Sequence, residues 1–189
     1  MLKQCNFKFK GNRDYIHSTD IYKYLLNHYS KVNSLELIFK LKSKNQLIFI
    51  DNLEKGLIDK KNVFCFGKLN KKKIFFLKTK KKIKYSYKFN ENMYNEIFKI
   101  NKTSIKCIAQ IKGDFIDLIV CMINYFHRKK FPKKKYLLVK LNQFKKIDFN
   151  SLKKQNLEIK TNLNIYSPIS VNKVYINKKK FLEIIYINN

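Results

Sequence analysis

From Cys5 to Lys10 apolar and polar residues alternate, with Cys5, Phe7 and Phe9 set against Asn6, Lys8 and Lys10. A period of two lines up one face of a strand, so a half-buried strand is expected here, stopped by Gly11. A polar stretch over Asn12–His17 then leads to Ser18, Thr19 and Asp20, three good N-cap candidates. They predict a helix over about Asp20–Ser30, with Ile21, Tyr24, Leu25 and Tyr29 on one face. Strands are expected at Leu35–Leu41 and Gln46–Ile50, and a hairpin of Asn62–Leu69 with Lys73–Lys78 closes around Asn70-Lys71-Lys72. Alternation returns over Lys82–Phe89, and Tyr94–Ile100 reads as a short connecting helix.

The same plan then recurs. Cys107–Ile111 reads as a strand stopped by Gly113, and Asp114 caps a helix running to about His127. Tyr136–Leu141, Leu157–Leu163, Val171–Ile176 and Phe181–Ile187 follow as strands. Cys5 and Lys10-Gly11 match Cys107 and Lys112-Gly113, Asp14-Tyr15-Ile16 matches Asp114-Phe115-Ile116, and Asn70 to Ile74 matches Asn177 to Phe181. Order and offset together predict an internal duplication, with one unit in residues 1–100 and the other in 101–189. Two unrelated α+β halves are the alternative.

Composition changes how the charge is read. Lys and Arg total 42 against 13 acidic residues, a formal charge of +29, yet the only arginines are Arg13 and Arg128. With 4 Gly, 2 Pro and a single alanine, Ala109, the chain favours residues with AT-rich codons, as in a reduced endosymbiont or an organelle. A phosphate-binding surface would be expected to keep arginine, whose fork grips phosphate where lysine is a point charge. Nucleic-acid binding is therefore expected to be weak, nonspecific and salt-sensitive. Four cysteines stand far apart without C-x-x-C spacing, which predicts reduced thiols and neither zinc nor disulfides. No secretory leader is read at the charged, alternating start. The longest apolar stretch, Phe115–Phe126, is broken by Asp117 and Asn124 and falls short of the ~20 residues of a membrane span. A soluble protein of the cytoplasm, or of its endosymbiont or organelle-matrix equivalent, is expected, with a homodimer left open.

The second helix leaves almost no polar face from Phe115 to Phe126, so protein must enclose it. One strand, one enclosed helix and three or four antiparallel strands, twice over, resembles the hotdog superfamily in its double form. That resemblance implies an α+β fold, a tandem (double) hotdog whose curved antiparallel sheet wraps round two central helices. It also implies activity on acyl thioesters of coenzyme A or acyl carrier protein, with no other cofactor and no metal. A dehydratase-like reaction on a 3-hydroxyacyl thioester is preferred to a thioesterase. Carried over, the family's base falls on His17 and its carboxylate on Asp117, with Arg13 and Tyr15 binding substrate. The Gly-His-Phe-Pro signature of the fatty-acid dehydratases is absent. His28 and His127, near helix C-termini, are expected to be structural and favoured as cations. Basic clusters at Lys71–Lys73, Lys80–Lys82, Arg128–Lys130 and Lys133–Lys135 keep an RNA- or ribosome-associated protein as the alternative, beside a noncatalytic scaffold that partners a carrier protein.

Overall fold

The computed structural model describes residues 2–40, 42–51, 59–108, 114–146, 156–163 and 167–188. The chain forms two units, Met1–Asn90 and Glu91–Asn189. The first holds strands β1 (Leu2–Gln4) and β2 (Phe9–Lys10), helix α1 (Ser18–His28), and strands β3 (Leu35–Phe39), β4 (Asn45–Asp51), β5 (Val63–Leu69), β6 (Lys72–Lys82) and β7 (Ser86–Tyr87). The second opens with a 3-10 turn at Glu91–Ile97, then β8 (Phe98–Ile100), β9 (Ser104–Cys107), helix α2 (Phe115–Lys130), β10 (Tyr136–Gln143), β11 (Leu157–Leu163), β12 (Ile169–Ile176) and β13 (Lys179–Asn188). The expected short helix at Tyr94–Ile100 is thus a 3-10 turn followed by a strand. Residues 109–113, including the expected stop at Gly113, lie outside the described residues.

In the first unit the strands run in the order β1-β4-β6-β5-β3, and every described pairing among them is antiparallel. Alternate residues Leu35 and Leu37 of β3, Leu47 and Phe49 of β4, and Ile74 and Phe76 of β6 are buried. Tyr24 of α1 meets Phe49 and Phe76 at 5.9 Å each and Phe7 at 5.7 Å, which seats the helix on this face. The alternation at Cys5 and Phe7 is present in burial, but these residues are not in a strand. The Gln46 side chain takes the place of a neighbouring strand there: Phe7 N donates to Gln46 Oε1 at 2.7 Å, and Gln46 Nε2 donates to Phe7 O at 2.8 Å.

The second unit runs β9-β11-β12-β13-β10, with β8 outside β9. From Phe115 to Ile123 every residue of α2 is buried, as its apolar circumference requires. Asp114 caps it, its Oδ1 accepting from Ile116 N at 3.2 Å. No helix among the described residues is long and apolar enough to cross a membrane.

The two hairpin turns repeat in detail. Asn70-Lys71 and Asn177-Lys178 all take positive φ, between 47° and 71°. Such paired left-handed residues match the twist of a tight hairpin, and asparagine adopts them more readily than most residues. Asn70 Oδ1 accepts from Asn33 N at 2.8 Å, just before β3, and Asn177 Oδ1 accepts from Asn156 N at 3.2 Å, just before β11. Each asparagine thereby fixes where the strand beside the hairpin begins.

The connectivity does not repeat. In both orders the strand before the helix neighbours the second strand after it (β4 or β11), and the first strand after the helix (β3 or β10) stands at the other end. The hairpin between them is turned about: it runs β6-β5 in one unit and β12-β13 in the other. The expected α+β tandem hotdog, a curved sheet wrapped round two central helices, is corrected accordingly. The chain is dominated by antiparallel sheet, eleven strands against two α-helices among the described residues, in two units of different strand order. The repeated residues encode turn chemistry, which is local. Strand order is set by long-range pairing, and a local pattern does not carry it.

Candidate functional site

A set of polar contacts lies at the head of α1, and short local rules build it. Gly11 has φ +60°, and a Cβ there would stand 3.2 Å from Phe89 O. This glycine lets the chain leave β2 in a left-handed turn. Strand β2 pairs in parallel with β7, placing Lys10 opposite Tyr87. Both side chains then reach the helix. Lys10 Nζ donates to Thr19 Oγ1 at 3.1 Å, and Tyr87 Oη donates to Asp20 Oδ1 at 2.8 Å.

Sequence alternation puts Lys10 outward, yet it is 1% exposed. Its ammonium also lies 4.0 Å from the centre of the Phe89 ring. Burying an ammonium is costly, and the hydroxyl and the ring face offset part of that cost. The Lys10 ammonium adds positive charge at a helix N-terminus, where the dipole already presents positive potential, and Asp20 brings a carboxylate to the same turn.

His17 is the N-cap, in place of the expected Ser18, Thr19 or Asp20. Its Nδ1 accepts from Thr19 N at 3.4 Å and lies 2.7 Å from Thr19 Oγ1. With Lys10 donating to that hydroxyl, the hydroxyl proton is directed to Nδ1. The chain of donation therefore runs from Lys10 through Thr19 to His17. A neutral imidazole that accepts at Nδ1 carries its proton on Nε2. This tautomer presents a donor at Nε2, where a general base would present a lone pair.

Arg13 joins the same cluster through Lys10: its Nη1 donates to Lys10 O at 3.3 Å. Tyr15 is half-buried under the ammonium of Lys42, 4.9 Å from the ring centre. Three of the four expected site residues, Arg13, Tyr15 and His17, thus share the loop into α1. Asp117 is buried in the first turn of α2, in the second unit. Lys10 and Thr19 were not expected from the sequence. Lys10 looked like one outward lysine among many, and only its place just before Gly11 and the helix entry sets it apart.

The second unit has its own buried polar cluster. His127 Nε2 lies 2.8 Å from Ser170 Oγ, Asn172 Nδ2 donates to that Oγ at 3.1 Å, and Thr161 Oγ1 donates to Asn172 Oδ1 at 2.9 Å. His127 packs against the rings of Tyr136 at 4.2 Å and Tyr186 at 5.3 Å. Burial pushes its pKa down to about 4, so it is neutral near pH 7. His127 is therefore not the dipole-favoured cation expected here, because loss of water outweighs the dipole; Arg128, Lys129 and Lys130 carry positive charge at this helix end. Ser170 has no exposed surface, and a base this weak would not activate it. This cluster ties α2 to β12.

No family model matches the chain, and no curated protein matches it. Among solved structures it is similar to a tesB protein of Mycobacterium avium subsp. paratuberculosis, with a TM-score of 0.45 and 7% identity over 100% of this chain and 92% of that one. It is also similar to an acyl-CoA thioesterase II of Mycobacterium marinum, with a TM-score of 0.38 and 7% identity over 84% of this chain and 81% of that one. Likenesses this distant assign neither fold nor activity.

Proposed function

We propose that the chain processes acyl thioesters, with the head of α1 polarising the thioester carbonyl. The observation that carries this reading is the buried relay from the Lys10 ammonium through Thr19 to His17, set at the helix N-terminus. Both enolate formation and thioester hydrolysis put negative charge on the carbonyl oxygen. Donors and positive charge fixed in a site of low dielectric stabilise that charge without reorganising. His17 Nε2–H and the positive end of α1 are the donors in this reading, and Lys10 supplies the charge behind them.

Within that class the reading is dehydratase-like. A polarised carbonyl acidifies the α-carbon of a 3-hydroxyacyl thioester; the α-proton passes to a base, the Cα–Cβ double bond forms as the Cβ–O bond breaks, and the base returns the proton to the departing hydroxyl, which leaves as water. Asp20, held by Tyr87 in the same helical turn, is the proton acceptor this reading assigns. Arg13 and Tyr15 lie on the loop into the helix, where the phosphates of coenzyme A or phosphopantetheine would be held.

Turnover of 3-hydroxybutyryl-coenzyme A tests this reading directly. His17→Asn keeps an N-cap side chain while removing the imidazole, so the fold should remain and turnover should fall at least about 100-fold, the range seen when one oxyanion donor is lost. Lys10→Met should do the same. Unchanged turnover in both variants, with intact folding, would remove the α1 head from the chemistry.

A further inference from the structure

The C-terminal end of β6 carries a feature that the thioester reading does not use. Between Lys78, opposite Leu47, and Lys82, opposite Asn45, strand β6 has three residues where β4 has one. Thr79 stabilises this bulge: its Oγ1 donates to Gln46 O at 2.9 Å and accepts from Lys81 N at 3.1 Å, while Asn45 Nδ2 donates to Thr79 O at 2.6 Å. A bulge breaks the in-out alternation of a strand and re-aims its side chains. Here Lys80, Lys81 and Lys82 are all exposed in succession, followed by buried Ile83 and exposed Lys84 and Tyr85. Among the described residues no acidic side chain pairs with any of these four lysines.

This ledge is joined to the loop that leads into α1. Ile83 N donates to Lys44 O at 3.0 Å, and Ile16 N donates to Ser43 O at 2.9 Å. Lys44 pairs with Asp14, and Lys42 covers Tyr15. Lys42, Lys44, Lys80, Lys81, Lys82 and Lys84 therefore lie along backbone that is hydrogen-bonded, within one or two steps, to the residues just before His17.

We infer that this ledge docks an acidic protein that delivers the acyl thioester, so that the substrate arrives at the head of α1. The inference rests on the thioester reading for what the partner carries, and on the ledge alone for the partner's charge. Lys80 to Lys84 span about 13 Å at ~3.3 Å per extended residue, with Lys42 and Lys44 on the backbone bonded to them, which suits a protein surface better than a single phosphate group. Its lysines are point charges, which pair readily with scattered carboxylates. A nucleic-acid backbone would be better matched by arginine forks. Complementary charge of this kind chiefly sets encounter rate and orientation, so binding should depend steeply on salt.

The test uses a labelled apo acyl carrier protein, which bears no thioester, titrated by fluorescence anisotropy into the full chain. Lys80→Glu/Lys81→Glu/Lys82→Glu should weaken its Kd at least about 10-fold, within the reach of removing several charge pairs. Lys71→Glu/Lys72→Glu/Lys73→Glu makes the same charge change at the far end of β6, and should weaken it less than about 2-fold. Both variants should melt within a few degrees of the wild type. Equal losses in the two variants would reduce the effect to net charge and overturn the proposal. So would the absence of binding, or a single-stranded RNA that binds more tightly with the same dependence on Lys80–Lys82. Because the probe has no thioester, failure here leaves turnover at α1 untouched. Binding without turnover in the wild type would instead sink the thioester reading and keep the docking face.

Discussion

Gly67→Ala is expected to destabilise the first unit by about 3 kcal/mol, the upper end of the usual range for overpacking, because the atoms in the way cannot yield. Gly67 stands in β5 opposite Leu37 of β3, and a Cβ built there would overlap the carbonyl carbon and oxygen of Glu36. The obstacle is backbone, so no rotamer change relieves it, and β3 would have to part from β5. That pairing holds Leu35, Leu37 and Cys65 in the core and spans five registered residue pairs. At roughly 2–4 °C per kcal/mol for a chain of this size, the melting temperature should fall by about 10 °C. Lys68→Ala, one residue on and exposed, should be close to neutral. A melting temperature for Gly67→Ala within about 2 °C of the wild type would show that β3 does not approach β5 this closely.

Stability should also fall as pH drops from about 6.5 towards 4, before most carboxylates titrate. His127 titrates near 6.5 when unfolded and at about 4 when folded, because burial disfavours the imidazolium. Between those values the unfolded chain binds the extra proton, so stability rises with pH through the window and levels off above it. By pH 4.5 the loss should be about 2.5 kcal/mol relative to pH 7.5, from the linkage of a single site. The groups around the imidazole do not offset this: Ser170 Oγ is already bonded to Nε2, the Tyr136 and Tyr186 rings are neutral, and Arg128, Lys129 and Lys130 on the same helix are cationic. Asp14 does not blur the window, since Lys44 beside it holds its carboxyl below the usual range and its protonation comes later. Urea titrations at the two pH values measure the difference. His127→Gln should flatten the profile between them; an equally steep profile in that variant would place the titrating group elsewhere.

Much of the local structure was legible in the residues. The run from Phe115 to Ile123, apolar but for Asp117, announced an enclosed helix, Asp114 its cap, and the two Asn-Lys pairs their hairpin turns. Each depends on chemistry within a few positions of sequence. The misses depend on partners far away. Lys10 turns inward because β7, more than seventy residues on, carries it to Thr19. Strand pairing lapses at Phe7 because the Gln46 side chain satisfies its backbone, while Cys5 N still donates to Leu47 O at 2.9 Å. His127 is neutral because Ser170 and two tyrosine rings exclude water from it, although its place at the end of α2 suggested a cation. The hairpin is reversed between the units although its turn is repeated, because the turn residues are blind to which strand lies alongside. At the candidate site the loop from Arg13 to His17 was found, while the tautomer of His17, and with it the change from base to donor, became readable only through the geometry at Thr19.

The carbonyl of a bound thioester reports most directly on whether the head of α1 polarises it. Isotope-edited infrared difference spectra of a 13C-carbonyl 3-hydroxyacyl thioester, bound to the wild type and to Lys10→Met, separate that carbonyl from the protein's amides. The account predicts a shift to lower frequency on binding the wild type, lost when the Lys10 charge is removed. A bound carbonyl at its solution frequency in the wild type, or one shifted equally in both proteins, would contradict it.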